Sequence, residues 1–358
     1  MKSNISRRGF IKGVGALAAV AGLGLVGCGG GGGKTSDTGA ASGSASEGSY
    51  KIEMVTDTGG VNDQSFNQSA WEGLTKLKED NGWDVSYMES KQESDYATNL
   101  DKAVDDGSNL IWGIGFPMAE AVGNCAKANP DVQFAIIDNG NPTGAANITG
   151  VQFRAQEPSF MVGYIAARFS KTGKVGFVGG ISSDVIDQFE FGFKGGVQYA
   201  NAEKGTNVEV QSQYAESFAD SAKGKSIAQK MFSDGCDVVF HAAGGVGTGV
   251  IQAAKDAGKY AIGVDRDQAY LAPENVITSA LKRVNTAVID VSTQLQSGKI
   301  EGGTDVSLGA TEDCVGIPEE HSIIGDEIYN DTIALEDKIK SGEIKPPANE
   351  EELASFKA

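Results

Sequence analysis

From Lys51 onward the chain alternates short apolar runs with amphipathic ones, and three of the apolar runs end in an acid: Met54-Val55-Thr56-Asp57, Ala135-Ile136-Ile137-Asp138 and Ile262-Gly263-Val264-Asp265. The runs KIEMVTD, WDVSYME, NLIWGIG and VQFAIID are separated by FNQSAWEGLTKLKED, YATNLDKAVDDG and MAEAVGNCAKAN. Strand-length apolar segments alternating with helical ones predict βαβ units and a parallel sheet. The strand runs are mostly apolar rather than alternating, as strands covered on both faces require. Ser65 and Gln68 fit a capping box before Ala70, Trp71, Leu74 and Leu77, and Asn81-Gly82 supplies the stop. Phe66 then falls in the first helical turn.

The grammar restarts near Val151. EPSFMVGYIAARF, DVIDQFEFGFKGGVQYA, SAKGKSIAQKMFSDG and GTGVIQAAKDAG read as helices, interleaved with the strand-like KVGFVGG, NVEVQSQYA, CDVVFHAA and YAIGVD. Two doubly wound sheets follow. The predicted class is α/β, two parallel-sheet lobes joined by a hinge. Residues 50–153 plus about 283–312 are assigned to lobe 1, and 154–282 plus about 313–358 to lobe 2.

The N-terminus is of another kind. Arg7-Arg8-Gly9-Phe10-Ile11-Lys12 is a basic segment, Val14 to Val26 is a short Gly/Ala-rich apolar run, and Leu25-Val26-Gly27-Cys28 matches a lipobox. A membrane-spanning helix needs about 20 apolar residues, so residues 1–28 read as a signal peptide, with paired arginines of the twin-arginine kind and Cys28 as the lipidation site. Residues 29–49, rich in Gly, Ser and Ala, read as a flexible tether. The expected location is the extracytoplasmic face of the cell membrane.

Composition excludes several classes of function. Without the four bases of residues 1–28 the chain carries 26 basic and 48 acidic side chains, a net of −22. Nucleic-acid binding needs clustered Lys and Arg, and none appears, so no nucleic-acid partner is expected. Cys125, Cys236 and Cys314 are far apart and odd in number, which argues for buried free thiols. With His241 and His321 the only histidines, a His-based metal site is not expected. No cofactor is expected either. There is no GxSxG elbow, HExxH or Walker lysine.

In an open parallel sheet the ligand crevice lies at the carboxyl ends of the strands. Asp57, Asp138 and Asp265 would share it, although any single Asp at a strand end also suits a turn or cap. Carboxylates only accept hydrogen bonds, which suits a vicinal diol or the N–H groups of a base. Phe66, beside Asp57, offers a flat face for a planar ring, or packs as a staple into the core. Phe218 sits at a comparable handover in the second half, so two aromatics could sandwich one ring. In Ala242 to Gly249 the glycines let backbone approach a ligand closely. Lys282 follows a late strand near the crossing between lobes and either bridges ligand hydroxyls and Asp265 or is an ordinary surface lysine.

The stretch Val55 to Asn67, with His241 to Gly249 and Ile262 to Gln268, closely resembles the basic membrane protein family of substrate-binding lipoproteins. The resemblance spans residues 50 to 345. It implies a type I periplasmic-binding-protein fold, a purine nucleoside as ligand, an ABC permease as membrane partner and no enzymatic activity. By position it implies stacking by Phe66 and Phe218, base contacts from Asp57 and Asp138, and ribose contacts from Asp265 and Lys282. Ser65, Asn67 and Gly244 join the ligand-binding set, and Phe189 contacts ligand from the second lobe. The family's usual export is by the general secretory route, so the paired arginines are a departure that implies folding before export. Two rivals stay open: an exported nucleoside-processing enzyme such as a hydrolase, and a ligand sensor for a membrane signalling protein.

Overall fold

The structure is a computed structural model, and it describes residues 49–358. The signal peptide, Cys28 and the tether lie outside the described residues, apart from Ser49.

Strands β1 (Lys51–Thr56), β2 (Asp84–Met88), β3 (Leu110–Ile114), β4 (Gln133–Ile137) and β5 (Ile148–Phe153) alternate with helices α1 (Phe66–Asn81), α2 (Asp95–Asp105) and α3 (Ala119–Ala128). A long helix α4 (Gln156–Phe169) opens the second half. It is followed by β6 (Lys174–Gly179), α5 (Asp184–Lys204), β7 (Glu209–Tyr214), α6 (Ser221–Ser233), β8 (Val238–Ala242), α7 (Val246–Ala257), β9 (Tyr260–Asp265) and β10 (Val276–Lys282). The chain ends with α8 (Val284–Gln296), β11 (Asp305–Leu308), β12 (Val315–Gly316), α9 (Gly325–Lys340) and α10 (Glu350–Ser355).

Two six-stranded sheets result, ordered β11-β5-β4-β3-β1-β2 and β12-β10-β9-β8-β6-β7. The first is parallel throughout, and in the second only β12 runs antiparallel, against β10. In both, the order reverses beside the first strand, so the space beyond the carboxyl ends is a ligand crevice by topology. β3 and β8 are buried along their whole length, as their apolar runs demand. Trp112 of β3 donates its indole N–H to Ser292 Oγ of α8 at 3.0 Å, which ties this late helix to the first sheet. Gly82 ends α1 in the left-handed region (φ 68°) and its N–H caps Lys78 O, the stop that Asn81-Gly82 announced.

The chain passes between the sheets at residues 153–156, 282–284 and 308–315. A hydrogen-bonded bundle joins these crossings. Arg154 pairs with Glu157 (2.7 Å) and Glu312 (2.5 Å), and Ala310 N–H donates to Glu157 Oε2 (2.7 Å). Arg283 donates from its backbone to Cys314 O and from its guanidinium to Val315 O. Cys125, Cys236 and Cys314 are free and buried. Burial pushes their thiols up to about 12, 11 and 11, so they are protonated at neutral pH. Among the described residues no helix is long and apolar enough to cross a membrane.

Candidate functional site

A cleft between the two sheets holds about 500 Å³ of open space, its mouth included. Asp57, Phe66, Asn67, Asp138, Phe189, Phe218, Gly244, Asp265 and Lys282 all line it. These residues span more than 200 positions of sequence, and the strand ends bring them together. Asp138 and Asp265 both take the left-handed region (φ 65°) immediately after their strands. The short Asp side chain tolerates that backbone, which turns the chain sharply at the sheet edge.

The aromatic end is built around Asp57. Its Oδ1 accepts from Gly59 N–H and from Asn67 Nδ2, each at 2.8 Å. Asn67 Nδ2 also donates to Asp63 Oδ2 (3.1 Å), so both amide protons are used. Asp63 is the true cap of α1: its Oδ1 accepts from Ser65 N–H (2.9 Å) and Gln68 N–H (3.1 Å), and its Oδ2 from Asn67 N–H (2.8 Å). The expected Ser65–Gln68 capping box is therefore corrected. Gln64 adopts φ 59°, which curls the segment so that Asp63 reaches the free N–H groups, and Ser65 makes no side-chain cap bond. Instead the fully buried Ser65 hydroxyl donates to Asp265 Oδ2 across the cleft. Ser65 is a bridge between the two sides and does not line the cavity.

Lys282 is 2% exposed, which removes the surface-lysine alternative, but the expected bridge to Asp265 is corrected: the ammonium pairs with Asp138. Its ammonium bonds Asp138 Oδ2 at 2.5 Å and lies over the rings of Phe66 (4.7 Å), Phe153 (5.1 Å) and Phe189 (5.7 Å). A desolvated lysine needs such partners. Four carboxylates, Asp57, Asp63, Asp138 and Asp265, thus share the cleft with one ammonium. Burial raises Asp57 to about 6, against the lowering effect of its Asn67 and Gly59 bonds. Burial likewise raises Asp265 to about 6, with Lys282 and Ser65 opposing. The charge of Asp138 adds a smaller upward push to both. Among the described residues no group of His, Cys, Asp and Glu is arranged to hold a metal ion.

Phe66, which starts α1 after a strand of the first sheet, and Phe218, which follows β7 of the second, both line the cavity. Phe218 meets Phe116 edge-on, with ring centroids 6.2 Å apart and planes at 79°. Phe116 follows the end of β3 in Gly115-Phe116-Pro117, a place sequence reasoning passed over because Gly and Pro around an aromatic read as a plain turn. A Cβ at Gly115 would stand 3.1 Å from Asp57 Oδ2 and 3.5 Å from the Phe66 ring, so the missing side chain leaves room for these two groups. Phe189 is also part of the core, 3% exposed and tilted against Phe240 at 6.5 Å. Gly244 takes φ 53° and lies against the Phe218 backbone, where a Cβ would sit 3.3 Å from the carbonyl oxygen.

Beyond the cavity the loop after β9 closes the seam. Gln268 donates from Nε2 to Gln64 O (2.9 Å), Tyr270 donates its hydroxyl to Gln64 Oε1 (2.7 Å), and Arg266 pairs with Glu72 (3.0 Å). Nothing in the sequence marked these residues as partners.

Comparisons with known proteins bear on this geometry. The profile of the PnrA-like ABC transporter substrate-binding proteins matches residues 51–350, and that of twin-arginine translocation pathway signal sequences matches residues 4–24. Basic membrane protein A of Borreliella burgdorferi is 42% identical over 311 residues, covering 86% of this chain and 90% of that protein. The ABC transporter nucleoside-binding protein BmpA of Lactococcus lactis subsp. cremoris is 41% identical over 278 residues, covering 72% and 78%. A crystal structure of an ABC transporter solute-binding protein from Aeropyrum pernix K1 superposes with a TM-score of 0.78 at 29% identity, covering 85% of this chain and 95% of that one. The shared type I periplasmic-binding fold and the match across nearly the whole described chain place the protein in the PnrA-like family of ABC transporter substrate-binding proteins.

Proposed function

We propose that the protein is a lipid-anchored extracytoplasmic receptor that closes its two lobes around a purine nucleoside and delivers it to a membrane permease for import. The observation that carries this reading is a single cavity walled by aromatic rings and by carboxylates from both sheets. Asp57 and Asp138 address the base, Asp265 and Lys282 the ribose diol, and Phe66 and Phe218 the two faces of the ring, with Phe116 behind Phe218. A vicinal diol supplies two donors to carboxylates and two acceptors to an ammonium, so Asp265 together with Lys282, which keeps its bond to Asp138, suits it. The name of the Lactococcus relative supports a nucleoside as ligand. Cys28 carries the lipid in this reading, and the hinge bundle around Arg154 and Arg283 is the place where the lobes swing.

A thermal-shift screen of nucleosides, free bases and free ribose tests it, because a ligand that binds only the folded state raises the melting temperature. Purine nucleosides are expected to give the largest shift. A shift from ribose equal to that from inosine would remove the base from the site. Chromatography of the recovered ligand separates a receptor from a hydrolase: intact nucleoside is expected, and free base would show turnover.

A further inference from the structure

The side chains of Asp57, Asp63 and Asn67 leave a base acceptors and no free donor. Both oxygens of Asp63 are taken by backbone and amide N–H groups, and both amide protons of Asn67 are spent on carboxylates. Two atoms remain without a hydrogen-bond donor among the described residues: Asp57 Oδ2, which stands beside Gly115 and the Phe66 ring, and the buried Asn67 Oδ1. Among the described residues that line the cleft one ammonium is present, that of Lys282, and it gives one N–H to Asp138 and serves the sugar end in the reading above. With Asp57 Oδ2 against N1, a 6-oxopurine gives it the N1 hydrogen and leaves its O6 to a donor elsewhere. A 6-aminopurine can give amino hydrogens to these acceptors, but at the same position it sets a bare N1, or on its other edge a bare N7, against the carboxylate. Two acceptors facing each other in a water-poor cavity repel.

Resting on the nucleoside reading above, we infer that Asp57 meets the base in two protonation states: as a carboxylate it accepts N1–H of a 6-oxopurine nucleoside, and as a carboxylic acid it donates to the bare ring nitrogen of a 6-aminopurine nucleoside. The proton comes from solvent, and the two ligand classes are bound with proton counts that differ by one. The surroundings make the neutral acid accessible. Asp57 is buried, Asp63 before α1 and Asp138 after β4 oppose its ionisation by their charge, and Tyr96 on α2 faces it with a hydroxyl that stays protonated. From the other side of the cleft come Asp265 and Lys282. Burial lifts the Asp57 carboxyl to about 6, within reach of neutral pH.

Calorimetric dissociation constants for inosine and adenosine, measured from about pH 5.5 to 7.5, test the inference. Both ligands carry the same ribose, so any titration of Asp265 at the sugar end cancels in their ratio. Proton linkage then requires the adenosine-to-inosine ratio of dissociation constants to rise about tenfold per pH unit, whatever the value of the carboxyl's own pKa. Titrations in buffers of different ionisation heat are expected to show about one more proton taken up with adenosine than with inosine, a reading that needs no variant. In Asp57→Asn the ratio is expected to lose its pH dependence. Binding of both nucleosides with a pH-independent ratio and equal proton counts overturns the inference and leaves the nucleoside reading standing. Binding of neither overturns both.

Discussion

At the residue scale the cleft concentrates charge where water is scarce, and this has consequences for stability as well as binding. Asp57 and Asp265 are buried and raised to about 6, well above the ordinary carboxyl value. The folded state therefore holds their protons more tightly than the unfolded chain, and the stability they contribute is present at low pH and lost as pH rises through about 6. Each is worth on the order of 2–3 kcal/mol over that window. The melting temperature of the ligand-free protein is expected to fall between about pH 4.5 and 7.5 through these groups, and Asp57→Asn with Asp265→Asn to flatten the fall, as read by calorimetry. An equal slope in the double variant would assign the pH dependence elsewhere. Phe66→Ala removes a ring face beside Asp57 and Lys282, and is expected to weaken nucleoside binding at least tenfold, about 1.4 kcal/mol. An unchanged dissociation constant takes Phe66 out of the site.

At the scale of elements, α1 shows how much a local pattern can settle and where it stops. The amphipathic spacing of Ala70, Trp71, Leu74 and Leu77 and the Asn81-Gly82 stop were legible; Ala70, Leu74 and Leu77 are buried, while Trp71 is half-buried against Tyr87. The cap was not. Ser65 has the right residue type at the right place, yet Gln64 turns through φ 59°, and the carboxylate two residues upstream takes the N–H groups while the Ser65 hydroxyl crosses to Asp265. A partner 200 positions away leaves no trace in a local window. Asp63→Ala is expected to cost more than an ordinary cap, beyond about 2 kcal/mol, because it also frees Asn67 Nδ2 from one of its two acceptors. Chemical denaturation measures it, and a loss under 0.5 kcal/mol would show that another group takes over the cap. Ser65→Ala is expected to leave α1 intact by the same measurement while weakening ligand affinity through loss of the bridge. The aspartates at the strand ends were legible for the opposite reason. A parallel sheet puts the end of every strand on one edge, so recurrence in sequence becomes proximity in space. Phe116 shares that edge but hid between Gly115 and Pro117.

At the scale of the whole molecule, the contacts of Gln268, Tyr270 and Arg266 with residues 64–72 describe a closed form, and the three crossings near Arg154, Arg283 and Glu312 are where opening would be absorbed. In the proposed reading the ligand binds between surfaces that must separate to admit it, so the radius of gyration from X-ray scattering is expected to shrink on adding nucleoside. Tyr270→Phe, which removes a seam hydrogen bond at a half-exposed residue outside the cavity lining, is expected to shift the ligand-free protein towards the larger value. Arg266 and Gln268 lie in the Ile262 to Gln268 stretch that marked the family, but their contacts across the seam were not legible there, since those partners meet only on closure. The central claim is that base and ribose lie between the lobes, and a crystal structure of the protein grown with inosine tests it most directly. The purine ring is expected between Phe66 and Phe218 with N1–H on Asp57, and the ribose diol on Asp265 and Lys282. Inosine bound outside this cleft, or lying in it with the ribose against Asp57, would contradict it.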